Sequence, residues 1–112
     1  MSREELRNKV DLALLSDFYG GLLTEKQRRV LSLYCEEDYS LGEISAEAGI
    51  SRQAVHETIS RAAGRLREME EALGTAARFQ RVQNGLRQAL AALREQDYSR
   101  AQSLLEELME LE

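Results

Sequence analysis

The side chains best suited to chemistry lie within residues 51–61. Ser51, Arg52 and Gln53 open this run, with His56, Thr58 and Arg61 after them. These groups donate and accept hydrogen bonds rather than assemble a reaction centre. A hydroxyl together with a helix amino terminus can hold a phosphate. A guanidinium reaches a phosphate or a guanine edge, and a carboxamide reads adenine or a phosphate. His56, roughly one turn farther along, is a candidate edge contact. Thr58 and Arg61 lie later, where a nucleic-acid backbone would pass. Between residues 52 and 67, Arg52, Arg61, Arg65 and Arg67 stand against Glu57 alone, so the stretch is locally basic. Glu57 either accepts from cytosine or pairs with Arg61 across one turn. Arg61, Arg65 and Arg67 also read as a solvent-facing stripe balanced by Glu68, Glu70 and Glu71.

Catalysis finds little support. His56 is the one histidine in the chain. A Ser-His-acid arrangement needs a residue to orient it, and the adjacent Glu57 points elsewhere on a helix. Cys35 has no His or second Cys at ligand spacing, so it reads as a small buried or half-buried residue. Glycine does not occur in the spacing of a phosphate-cradling loop. The expectation is a non-enzyme with no cofactor and no metal.

The elements that must position residues 51–61 begin at Asp38. Ser40 can cap a short helix, with Glu43 closing a capping box. Leu41, Ile44 and Ala48 give that helix an apolar side. Gly49 is the residue most able to take positive φ at its end. Ile50 follows as an apolar plug, and Ser51 can cap the next helix. Val55 and Ile59 then face inward. This is the layout of a helix-turn-helix over residues 40–61, whose second helix could enter a major groove. That second helix is longer than groove reading needs. Val55, Ile59, Ala62, Leu66, Met69 and Leu73 form a heptad-like seam, which requires cover from this chain or from a partner chain.

Upstream, residues 4–19 read as a helix with Leu6, Val10, Leu14 and Phe18 along one stripe, ended by Gly20 and Gly21. Phe18 and Tyr19 read as core packing at its end. Thr24 and Gln27 have capping-box spacing for a second helix, in which Val30, Leu31 and Tyr34 face the core. Arg28 and Arg29 either meet phosphates or solvate the surface. Glu36-Glu37-Asp38 reads as an acidic cluster facing solvent. Downstream, residues 76–95 read as a helix with Phe79, Val82, Leu86, Leu90 and Leu93 as its apolar positions. Ser99 and Gln102 have capping-box spacing for a last helix over 100–111. Asp97-Tyr98-Ser99 repeats Asp38-Tyr39-Ser40, which a shared helix-entry chemistry would explain.

The chain of 112 residues contains no proline and is rich in Leu, Ala, Glu and Arg. That favours an all-α protein: a helix-turn-helix with a long fourth helix and a C-terminal helical hairpin. Residues 1–71 form the expected helical domain, and residues 72–112 a packing or dimerisation segment. The net charge of −5 weighs against indiscriminate nucleic-acid binding. No run is long enough to span a membrane, Met1 to Lys9 does not resemble a signal peptide, and a single cysteine suits the cytoplasm.

At residues 18–61 the sequence resembles the YlxM family of small bacterial helix-turn-helix proteins. The likeness rests on Phe18-Tyr19, Leu22-Leu23-Thr24-Glu25-Lys26-Gln27, Asp38-Tyr39-Ser40-Leu41, Glu43-Ile44 and Ile50-Ser51-Arg52-Gln53-Ala54-Val55. His56 departs from the pattern, standing where an aromatic is frequent. The resemblance implies a helix-turn-helix similar to the sigma-factor domain that reads the upstream promoter element, with DNA-binding candidates at Ser51, Arg52 and Gln53. It also implies a link to the signal recognition particle, because genes of this family generally lie beside those of the particle. Two functions follow as expectations: a DNA-binding regulator, or a protein- or ribonucleoprotein-binding accessory factor of the particle. Either one implies a homodimer or other homo-oligomer, since two apolar helical surfaces need cover.

Overall fold

A computed structural model describes residues 3–111. These residues are helical, with no strand among them: α1 (Arg3–Tyr19), α2 (Glu25–Cys35), α3 (Leu41–Ala48), α4 (Arg52–Leu73), α5 (Thr75–Arg94) and α6 (Tyr98–Met109). The chain divides into two compact units, one ending at Leu73 and the other beginning at Gly74.

In the first unit, local chemistry sets where the helices start. Thr24 Oγ1 accepts from the Gln27 N–H at 3.1 Å, and the Gln27 side chain accepts from the Thr24 N–H at 3.0 Å. Ser40 and Glu43 repeat this reciprocal capping at the start of α3. Each pair satisfies backbone donors that a helix amino terminus leaves open. Gly49 ends α3 at φ 70°, a left-handed conformation that is nearly free of strain only for glycine. Ser51 then accepts from the Ala54 N–H at 3.0 Å and opens α4.

Helices α1, α2 and α3 all pack on α4. Val30, Ile44 and Val55, one from each of three successive helices, form a closed cluster beneath the turn. Farther along α4, Ala62, Ala63 and Leu66 are buried as well. The apolar seam of α4 therefore finds its cover within the chain as far as Leu66. Beyond it Met69 is half-buried and Leu73 is exposed.

The buried face of α1 is not the expected one. Leu6 and Val10 are exposed, whereas Leu12, Leu15 and Tyr19 are buried with Lys9 beside them. The cause is geometric. A residue every four positions advances about 40° per step around a helix of 3.6 residues per turn. Leu6, Val10, Leu14 and Phe18 thus wind off any single face. Leu12, Leu15 and Tyr19, at intervals of three and then four, stay within about 60° of one another. Tyr19 reaches through the core edge, donating to Glu70 Oε1 at 2.7 Å.

Cys35, at the end of α2, is half-buried. Burial pushes its thiol up to about 11, with Glu36 adding to the rise and Lys9 opposing it. Set against the usual value of 9.0, this leaves roughly a hundredfold less thiolate at neutral pH. The native thiol is therefore expected to react with a disulfide reagent at pH 8 some tens of times more slowly than in urea-unfolded protein. Equal rates in the two states would contradict the burial.

In the second unit, α5 and α6 form an antiparallel hairpin. Its seam consists of small residues. Ala89, Ala92 and Ala101 are buried, and a Cβ at Gly85 would come within 2.5 Å of Leu108 Cδ2. The large residues expected to make this contact, Leu86, Leu90 and Leu93, are exposed instead. Close helix approach selects the small-residue side of α5 and leaves the leucines outside. The entry to α6 differs too. Asp97 is the capping residue, accepting from the Arg100 N–H at 3.1 Å, so Tyr98 and Ser99 already lie in the helix. The two Asp-Tyr-Ser triplets thus cap with different members, Ser40 in one and Asp97 in the other.

Candidate nucleic-acid interface

The turn from Gly49 to Ser51 brings Ser51, Arg52 and Gln53 together at the exposed start of α4. Ser51 Oγ accepts from its own helix and keeps its hydroxyl proton for another acceptor. Gln53 lies about 170° from the buried Val55–Ala62 line, on the far side of α4 from the core. Glu57 follows it one turn on, also exposed.

Arg52 takes an unexpected course. Its guanidinium folds back over α3, where a Cβ at Gly42 would meet Nη2 at 3.0 Å and Nε at 3.2 Å. Gly42 is therefore the bed on which Arg52 lies. In a helix-turn-helix, the helix preceding the reading helix crosses the nucleic-acid backbone. The charge of Arg52 is held between α3 and α4. A glycine near the start of a helix that needs no turn there, ten positions before an arginine, was the available signal.

His56 is turned toward α1. It borders a cavity of about 340 Å³ with Asn8, Leu12, Tyr34 and Ser60, rather than standing in line with Gln53. Arg61 donates to Glu57 Oε1 at 2.7 Å, an i,i+4 pair with both side chains exposed. Such a pair contributes only tenths of a kcal/mol, so Arg61 stays available at little cost. Thr58 donates to Ala54 O at 2.8 Å and so uses its hydroxyl proton on its own helix.

The remaining arginines do not form one solvent stripe. Arg65 donates to Leu22 O at 3.3 Å, and Arg67 donates to Asn8 Oδ1 at 2.6 Å, each on a different flank of α4. Both are tied to the body of the first unit. Arg29, on α2, lies 3.7 Å from Glu47 on α3 in an exposed pair. The acidic cluster after α2 is also less uniform than expected. Asp38 stays exposed but is left-handed at φ 55° and engaged from α1: Lys9 Nζ donates to its Oδ1 at 2.5 Å while sitting 4.5 Å from the Tyr34 ring centroid. The signal for this in sequence was a lysine on the buried side of α1, hidden by the misplaced stripe.

Taken together, two capped helices, a left-handed glycine between them and an exposed polar start to the second define a helix-turn-helix protein of the all-α class. Comparison with known proteins gives the family. Residues 6–110 match UPF0122, described as "Putative helix-turn-helix protein, YlxM / p13 like", and the chain belongs to that family. It is 47% identical to a UPF0122 protein of Symbiobacterium thermophilum over 84% of this chain and 88% of that protein. A UPF0122 protein of Halalkalibacterium halodurans is 46% identical over 88% of this chain and 91% of its own. A UPF0122 protein of Thermoanaerobacter sp. is 51% identical over 67% of this chain, and the match spans 64% of that relative's length. Among the described residues no helix is long and apolar enough to cross a membrane.

Proposed function

We propose that this protein is a non-enzymatic, cytoplasmic, DNA-binding regulator that reads a duplex with the start of α4. The carrying observation is the exposure of Ser51, Arg52 and Gln53 together beyond a capped turn. In this reading Ser51 and the α4 amino terminus take a phosphate, Arg52 takes a phosphate from its bed on Gly42, and Gln53 reads a base edge. His56 and Arg61 act at the margins, His56 from the α1 side and Arg61 after leaving Glu57. Self-association would bring two reading helices to one duplex.

A second reading is supported by a different observation. The protein carries net charge −5, and Glu57 occupies the outward line of α4 one turn beyond Gln53. A carboxylate there is unfavourable in most grooves. It suits an accessory factor that meets protein or ribonucleoprotein of the signal recognition particle, the partner that the YlxM resemblance brings in.

The test compares binding to a library of genomic DNA fragments and to purified signal recognition particle, at several salt concentrations. Preferred fragments should emerge. Gln53→Ala should weaken them about 5- to 100-fold and relax specificity, from one lost base contact. Arg52→Ala should weaken all fragments more evenly and flatten the salt dependence by about one ion. Saturable particle binding with no preferred fragment, unmoved by either change, would replace the first reading with the second.

A further inference from the structure

The hairpin of the second unit is built with its small side chains inside and its large ones outside. Ala89, Ala92 and Ala101 are buried between the helices, and Leu108 rests on Gly85. Leu86, Leu90 and Leu93 of α5 are exposed by 43–48%, Leu105 and Met109 of α6 by 41% and 85%. Alanine methyls with a half-buried leucine laid on a glycine bury little apolar area, and the stabilisation scales with that area. A unit of residues 74–112 is also near the length at which domains need reinforcement.

Both exposed stripes lie on the same face. On α5 the leucines sit about 110° around the helix from the Gly85–Ala89–Ala92 seam. On α6, Tyr98, Leu105 and Met109 sit about 70° from the line of Ala101 and Leu108. The helices run antiparallel, so those two rotations turn toward one side of the hairpin. The opposite side is more polar: there Arg81, Asn84 and Gln88 of α5 share a shallow cavity with Glu107 of α6, beside Leu104 and Leu111. The hairpin is therefore an amphipathic slab, apolar on one broad face.

The charges identify what fits that face. Helix α5 carries Arg78, Arg81, Arg87 and Arg94 and no carboxylate. Helix α6 carries Glu106 and Glu107 against Arg100. Gly85 lies level with Leu108, so Arg87 and Glu106 are also level, but on opposite outer edges of the slab. Arg87 has no ion-pair partner among the described residues, and Glu106 accepts from Gln102 at 2.9 Å on its exposed edge. A two-fold axis parallel to the helices, below the apolar face, lays α5 over the partner's α6. It also brings Arg87 of one chain level with the acidic edge of the other, twice per pair.

We infer that a second copy of this chain covers the apolar face, forming an antiparallel four-helix bundle from two α5–α6 hairpins. Leu86, Leu90, Leu93 and Leu105 fill its centre, and Arg87 pairs with the Glu106 carboxylate across the rim. This inference deepens the self-association in the proposed function, and it needs no DNA.

The test uses the full chain in sedimentation equilibrium, with helix content followed by circular dichroism. The wild type should be dimeric at micromolar concentration. Leu86→Glu with Leu90→Glu should weaken the dimer roughly a hundredfold or more, with helicity of the first unit retained. Arg87→Glu and Glu106→Arg should each weaken it about five- to tenfold, counting two rim pairs per dimer, and the double exchange should restore it. These rim positions are exposed, so the exchanges test the arrangement without disturbing the hairpin core. A wild type monomeric at hundreds of micromolar would overturn the inference. A dimer indifferent to the leucine changes would overturn it too, as would charge exchanges that fail to compensate. DNA reading stands or falls separately, because Ser51, Arg52 and Gln53 are untouched.

Discussion

Replacing Ile44 with alanine is expected to lower the stability of the first unit by about 2–5 kcal/mol. Ile44 is fully buried between Val30 of α2 and Val55 of α4. It belongs to a cluster of three buried residues walled by Leu33, Leu41, Ile50 and Ile59, each fixed on its own helix or turn, so its truncation leaves a void. Domains of this size hold roughly 5–15 kcal/mol in total, so the loss would take up much of the margin. The exposed Leu6 provides the contrast: Leu6→Ala should change stability by no more than about 0.5 kcal/mol. Urea unfolding of both variants measures the pair. Similar losses at the two positions would mean that the buried faces of α1 and α3 have been wrongly assigned.

The second large effect is expected at Asp38. Asp38 answers the charge of Lys9, which is only 9% exposed, and its own backbone is left-handed at φ 55°. Alanine there removes the carboxylate facing a buried ammonium, which costs about 1–3 kcal/mol. Alanine also lacks the short polar side chain that lets Asp and Asn tolerate the left-handed region, which costs about 1 kcal/mol more. Asp38 is 61% exposed, which keeps the ionic part toward its lower end. Asp38→Ala should therefore destabilise by about 2–4 kcal/mol. Asp38→Gly should recover about 1 kcal/mol of that through the backbone. Asp38→Asn, which tolerates the same backbone and keeps an acceptor for Lys9, should be the mildest. Thermal melts of the three give the ranking, and a glycine variant no better than alanine would remove the backbone from the explanation.

What was legible in the sequence was the chemistry that acts over three or four residues. Thr24 with Gln27, Ser40 with Glu43, Gly49 and Ser51 set the start or end of a helix through bonds to their own neighbours. No tertiary packing is needed to recognise them. What was not legible was which apolar residues turn inward. In α1 a run at steps of four imitated a face that 3.6 residues per turn does not sustain. In α5 the larger residues drew the assignment, while the approach of α6 depended on Gly85 and Ala89 being small. At the candidate interface, residue types gave Ser51, Arg52 and Gln53. They could not give the resting place of Arg52 on Gly42, since that contact joins two helices. Nor could they give the destinations of Arg65 and Arg67, which depend on where α1 and the turn at Leu22 come to lie.

The cluster of Val30, Ile44 and Val55 also bears on time. Its members come from consecutive helices, each capped by its neighbours, so few residues must be ordered before the cluster closes. Loop-closure cost rises with the length enclosed, and local topologies fold fastest. The helix-turn-helix is thus the part of the chain able to assemble first, even while later residues are still being synthesised. Helix α1, tied in through Lys9 and Asp38, would dock onto it afterwards. The cost of Ile44→Ala would then appear mainly as slower refolding, and that of Asp38→Ala mainly as faster unfolding. Stopped-flow traces with both losses confined to unfolding would reverse that order.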